Sequence, residues 1–86
     1  MVEPAAAPPS LGGLVRFVVE SMVDEPGAVR IDESDEGDTT AFRVQVAPAD
    51  LGKVIGRQGR TARALRTVLA AAGAKQRRRT LLEILE

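Results

Sequence analysis

Two apolar stripes of helical spacing, Leu51-Val54-Ile55 and Leu65-Val68-Leu69-Ala72, flank the segment Gly56-Arg57-Gln58-Gly59. Residues repeating at three- and four-residue intervals bury one face of a helix, so the chain must reverse between two helices within a turn bounded by glycines. Pro48 suits the first turn of the earlier helix, and Gly56 ends it. The later helix, Arg60 to Ala72, turns Arg60, Arg63 and Arg66 away from its apolar face, and Gly73 is the expected C-cap. Glycine lacks a Cβ and tolerates positive φ, so a turn of this kind brings main-chain amides against a sugar-phosphate backbone. The start of the second helix adds partial positive charge. Arg57 and Arg60 supply full charges beside it, and Arg63 stands one turn further along. By itself a Gly-x-x-Gly turn equally marks a helix hairpin that uses glycine as cap and hinge.

The rest of the chain gives that turn its setting. Met1 to Ser10 is rich in Pro and Ala without periodicity and reads as a disordered arm, leaving residues 11–86 as one domain. Leu11, Leu14, Val15, Val18, Val19 and Met22 form an amphipathic stripe up to Asp24, which Pro26 and Gly27 stop. Phe17 falls outside the stripe, so it either packs at the core edge, the preferred reading, or is exposed to a partner chain. Val29 and Ile31 alternate with charged residues, as do Phe42, Val44 and Val46 with Arg43 and Gln45, the period of half-buried strands. The acidic segment Glu33 to Asp38, with Gly37, reads as the exposed connection of a hairpin. Thr80, Leu82 and Ile84 predict a final strand. The expected order is helix, strand, strand, helix, helix, strand.

An 86-residue chain has room for one modest core and not for a cleft between domains. Neither cysteine nor histidine occurs, which removes disulfides, thiolate metal sites and the commonest general base. No Walker-type or dinucleotide-binding glycine motif is present, and Asp32, Glu33, Asp35, Glu36 and Asp38 lack the spacing of an ordered cation loop. No catalytic residue, metal, cofactor or small-molecule substrate is expected. Without a run of about 18 apolar residues or a basic-then-apolar leader, a cytoplasmic location with no membrane contact is the default. The net charge is zero, but the charges are segregated. Residues 1–50 hold three basic groups against ten acidic, whereas residues 51–80 hold nine basic groups and no acidic one. Local field rather than net charge steers a phosphate backbone, so this distribution is compatible with nucleic acid.

The run Leu51-Gly52-Lys53-Val54-Ile55-Gly56-Arg57-Gln58-Gly59-Arg60-Thr61-Ala62-Arg63-Ala64-Leu65-Arg66 resembles the KhpA family of small bacterial KH proteins, and the element order resembles the type II KH domain from Leu11 to Glu86. The resemblance implies an α+β fold in the order α-β-β-α-α-β, a three-stranded sheet with three helices packed on one face. It implies a non-catalytic partner of single-stranded RNA, an RNA chaperone or post-transcriptional regulator linked to cell shape, whose GxxG loop clamps about four nucleotides. Gly56, Arg57, Gln58 and Gly59 match the loop, Lys53, Val54 and Ile55 the helix before it, and Arg60 and Arg63 the helix after it. Arg43, Val44 and Gln45 are the candidates for the far wall of the groove. Partners implied are a second copy of the chain or a larger KH-containing protein of the KhpB (Jag, EloR) kind, with Phe17 and the last strand edge as candidate contacts. Two other readings stand beside this one: a dimerisation module with little RNA affinity, and a helix-turn-helix DNA binder with Arg60, Arg63 and Arg66 in a major groove. The strands argue against the latter. The near absence of aromatic residues argues against base-stacking platforms.

Overall fold

The computed structural model describes residues 10–86, so the expected arm, apart from Ser10, lies outside the described residues. Ser10 itself belongs to the domain. Its Oγ accepts a hydrogen bond from the Gly13 amide (3.0 Å), capping helix α1, Leu11–Met22. That helix buries Leu11, Val15 and Val19 and ends two residues before Asp24, where Val23 turns extended and packs into the core.

Strands β1 (Arg30–Glu36) and β2 (Thr39–Gln45) pair antiparallel, from Arg30 opposite Gln45 to Glu36 opposite Thr39. The connection is therefore only Gly37-Asp38, with Gly37 at φ +77°, and Glu33, Asp35 and Glu36, expected in the loop with Asp38, are strand residues. An edge strand tolerates them because its charges project to solvent and protect the free edge from mispairing. The last strand, β3 (Arg79–Ile84), lies on the other side of β2 and parallel to it, giving the order β1-β2-β3. A parallel neighbour requires a long crossover. Residues 46–78 supply it as a single-turn 3₁₀ segment Pro48–Asp50, helix α2 (Leu51–Ile55), the glycine-bounded turn and helix α3 (Arg60–Lys75). The α+β fold and its element order are those the resemblance implied.

β2 is the buried strand. Phe42 and Val44 face the helices and meet Val19, Val54, Leu69 and Leu82 in one cluster, each such side chain contributing about 1.5–3 kcal/mol by leaving water. Arg43 and Gln45 alternate to the opposite, solvent-facing side of the sheet. Phe17 is 71 % exposed on α1, contrary to the core-edge expectation. Its position on the helical projection lies off the stripe held by Val15 and Val19, and no neighbouring element covers it.

Helix α3 continues through Gly73, the expected cap, to Lys75. A Cβ at Gly73 would stand 2.6 Å from Thr80 Cγ2 and 2.8 Å from the Arg78 carbonyl oxygen, so glycine is needed there for the close return of the chain. The helix is closed instead by Arg77 at φ +57° and by the Arg78 amide donating to the Gly73 carbonyl (2.8 Å). Arg78 then reaches back across the sheet to Asp35, Thr40 and the Gly37 carbonyl, tying part of the basic half of the sequence to the acidic half.

Candidate nucleic-acid interface

The turn between α2 and α3 is a closed backbone unit. The Gly56 amide donates to Gly52 O (2.8 Å) to end α2, and the Gly59 amide donates to Gly56 O (3.1 Å). Gly56 has φ 77°, ψ 170°, a region that side chains other than hydrogen essentially exclude. A Cβ there would collide with the Thr61 hydroxyl and lie 2.8 Å from the Thr61 amide nitrogen. Gln58 (φ 56°) and Gly59 (φ 72°) are left-handed, which turns the chain sharply onto the axis of α3. Gly59 offers no side-chain cap to α3, so the positive end of this 16-residue helix opens at the turn.

Three guanidinium groups surround this end. Arg57 is exposed; Arg60 Nη2 approaches Gln58 Oε1 (3.5 Å), and Arg63 Nη2 donates to Gln58 O (3.3 Å). None of the three forms an ion pair among the described residues. The turn therefore gathers fixed positive charge and backbone dipole without internal neutralisation. Arg66 does not join it, because its Nε donates to Leu82 O (3.1 Å) and pins α3 to β3.

Several of the expected site residues occupy other roles. Val54 and Val44 are both 0 % exposed; they are core residues beneath the interface, since alternation along β2 and the stripe of α2 point them inward. Ile55 is half-buried next to Gly56. Arg43 and Gln45 lie on the face of the sheet away from the helices, where Arg43 pairs with Glu83 (3.3 Å); the pleat prevents them from forming a groove wall together with Val44. Lys53 is committed to carboxylates, at 2.7 Å from Asp24 and 3.1 Å from Asp50.

Asp50, which the sequence reading passed over, organises this corner. It is 1 % exposed and accepts from the amides of Asp24 (3.2 Å) and Glu25 (3.0 Å) as well as from Lys53. Burial of the carboxyl opposes ionisation, but those two amides and the ammonium outweigh it and hold Asp50 below its ordinary pKa. Lys53 is in turn raised above its own, first by its hydrogen bond to the Asp24 carboxylate and then by that to Asp50. The cluster joins the end of α1 to the start of α2 and so fixes the helix that carries the turn. The one signal in the sequence was the i, i+3 spacing of Asp50 and Lys53.

A short α2, a turn at Gly56–Gly59 and a long α3 crossing between parallel strands define a known arrangement, and the profile described as KhpA/KhpB, KH domain matches residues 13–84. The chain belongs to that family. Among its relatives, the RNA-binding protein KhpA of Halalkalibacterium halodurans is 48 % identical over 73 residues, spanning 85 % of this chain and 96 % of the relative. The RNA-binding protein KhpA of Aquifex aeolicus is 47 % identical over 77 residues, spanning 90 % of this chain and 98 % of the relative. A crystal structure of an Aquifex aeolicus Era variant bound to GDP and aluminium fluoride superposes with a TM-score of 0.63 at 14 % identity. It covers 98 % of this chain but only 32 % of the Era chain, a likeness of fold alone.

Proposed function

We propose that this KH domain is a non-catalytic RNA-binding protein, an RNA chaperone or post-transcriptional regulator of the bacterial cytoplasm, in which the Gly56–Gly59 turn clamps the backbone of single-stranded RNA. The observation that carries the reading is the N-terminus of α3, which has no side-chain cap, with Arg57, Arg60 and Arg63 around it, none ion-paired among the described residues. Gly56 lets the strand approach the main chain, Arg57 and Arg60 meet phosphates, and Gln58 offers an amide to sugar or base. Ile55 gives a base an aliphatic surface, while Val54 and Val44 support it from within the core. Family membership, and the RNA-binding name that the relatives carry, support the same assignment.

The test is fluorescence anisotropy with short single-stranded RNA, comparing wild type with the double substitution Arg57→Asp, Gln58→Asp after circular dichroism confirms folding. Loss of binding is expected, together with a wild-type affinity that falls as salt rises. Equal binding by both proteins would remove the turn from the site. A helix-turn-helix mode is disfavoured because Arg66 is bound to β3 rather than presented with Arg60 and Arg63.

A second protein chain fits the flank of α3 that faces α1. Val18, Met22, Ala64, Leu65 and Val68 line an apolar cleft between α1 and α3, with Val68 51 % exposed. This face takes a second copy or a larger KH-containing protein of the KhpB kind. Two protomers on one RNA would raise affinity through effective concentration, since a single four-nucleotide site binds modestly.

A further inference from the structure

The three basic residues of the otherwise acidic first fifty, Arg16, Arg30 and Arg43, come from α1, β1 and β2 and are distant in sequence. The fold brings all three to one open cleft of about 240 Å³ at the β1 side of the sheet, where Gln45 adds an amide and Asp32 the lining carboxylate. Arg30 forms no ion pair among the described residues. Arg16 uses only Nη1 on Glu20 (2.9 Å), and Arg43 only Nε on Glu83 (3.3 Å). Both pairs are exposed, and such pairs contribute only about 0–1 kcal/mol, so the remaining guanidinium nitrogens are available to a better acceptor. Guanidinium forks match the oxygens of a phosphate. A convergence of three arginines otherwise costs mutual repulsion, and the neighbouring carboxylates balance it in the absence of a ligand.

We propose that this arginine-lined cleft is a second phosphate-binding site, which takes a backbone phosphate of the RNA strand beyond the nucleotides held at the Gly56–Gly59 turn. The proposal rests on the RNA-binding reading and gives Arg43 and Gln45 a role as an outlying anchor rather than a groove wall. The strand held at the turn is thereby extended to a longer footprint.

The test is the affinity of 12-nucleotide single-stranded RNA as a function of salt for four proteins. These are wild type, a cleft variant (Arg30→Gln with Arg43→Gln), the turn variant (Arg57→Asp with Gln58→Asp) and a control, Lys75→Gln, which removes one exposed charge elsewhere. One phosphate contact on a single strand accounts for about 0.7 in the slope of log K against log salt, or about fivefold at 0.1 M. The cleft variant is expected to lose about that factor and that slope, with Lys75→Gln close to wild type. Wild-type affinity in the cleft variant, or an equal loss in Lys75→Gln, overturns the proposal. If the turn variant binds normally while the cleft variant does not, the clamp assignment fails and the cleft stands. If the wild type does not bind RNA, both fall.

Discussion

Gly56 and Gly59 bound the same turn, yet the structure makes their replacement by alanine unequal. At Gly56 the backbone occupies φ 77°, ψ 170°, where a side chain costs about 1–3 kcal/mol in strain. The new methyl would also overlap Thr61, including its amide nitrogen at 2.8 Å. Because that atom belongs to the first turn of α3, relief requires moving the helix, and overpacking of this kind costs about 1–3 kcal/mol more. Loss of glycine's freedom in the unfolded chain returns about 0.4–1 kcal/mol. The net expectation for Gly56→Ala is a loss of about 1–5.5 kcal/mol. Gly59 is left-handed at φ 72°, ψ 15°, and nothing lies within 4 Å of a Cβ there. Its alanine variant should lose about 0.5–1 kcal/mol after the same offset. For a domain of this size each kcal/mol moves Tm by about 4–8 °C, so the mid-range difference of about 2.5 kcal/mol separates the two variants by about 10–20 °C in thermal unfolding followed by circular dichroism. Losses that agree within about 0.5 kcal/mol would refute the steric reasoning. They would mean that Thr61 and the end of α3 yield freely.

The Asp50 carboxyl has its pKa lowered by folding, so its contribution is complete above the ordinary value of 3.8 and is lost as pH falls through the folded-state value. Asp50→Asn should therefore lower Tm most near neutral pH, with the difference from wild type shrinking below pH 3.8; a gap independent of pH would contradict this. Lys53 is raised above 10.5, so its share is present below that pH and lost as pH rises further, and Lys53→Met should flatten the alkaline limb of the same profile. Gly73→Ala places a methyl against Thr80 and Arg78 and should cost about 1–3 kcal/mol in urea unfolding; a variant of wild-type stability would mean that β3 shifts without penalty. Val68→Glu, at an exposed position, should leave monomer unfolding unchanged within about 0.5 kcal/mol while abolishing association in sedimentation velocity. Association surviving it would place the protein interface elsewhere.

The periodicities of the sequence determined the elements: the stripes of α1 and α3, the alternation of β2 and β3, and the glycine-bounded turn follow from which faces must leave water. The turn and its arginines were legible for the same reason, because a four-residue segment specifies its own backbone through glycine. Other features depended on distance in three dimensions. Gly73 reads locally as a helix cap, and only the return of Thr80 and Arg78 against it makes it an interior residue. Lys53 reads as one more basic residue near the turn, until the end of α1 brings Asp24 beside it. Val44 sits among candidate ligand contacts in the sequence, and the pairing of β2 with both neighbours turns it into the core, leaving Arg43 and Gln45 on the opposite face. Local conformational preference is written residue by residue. The partner that a charge or a methyl finally meets is set by how a parallel crossover of residues 46–78 lays two helices over one sheet.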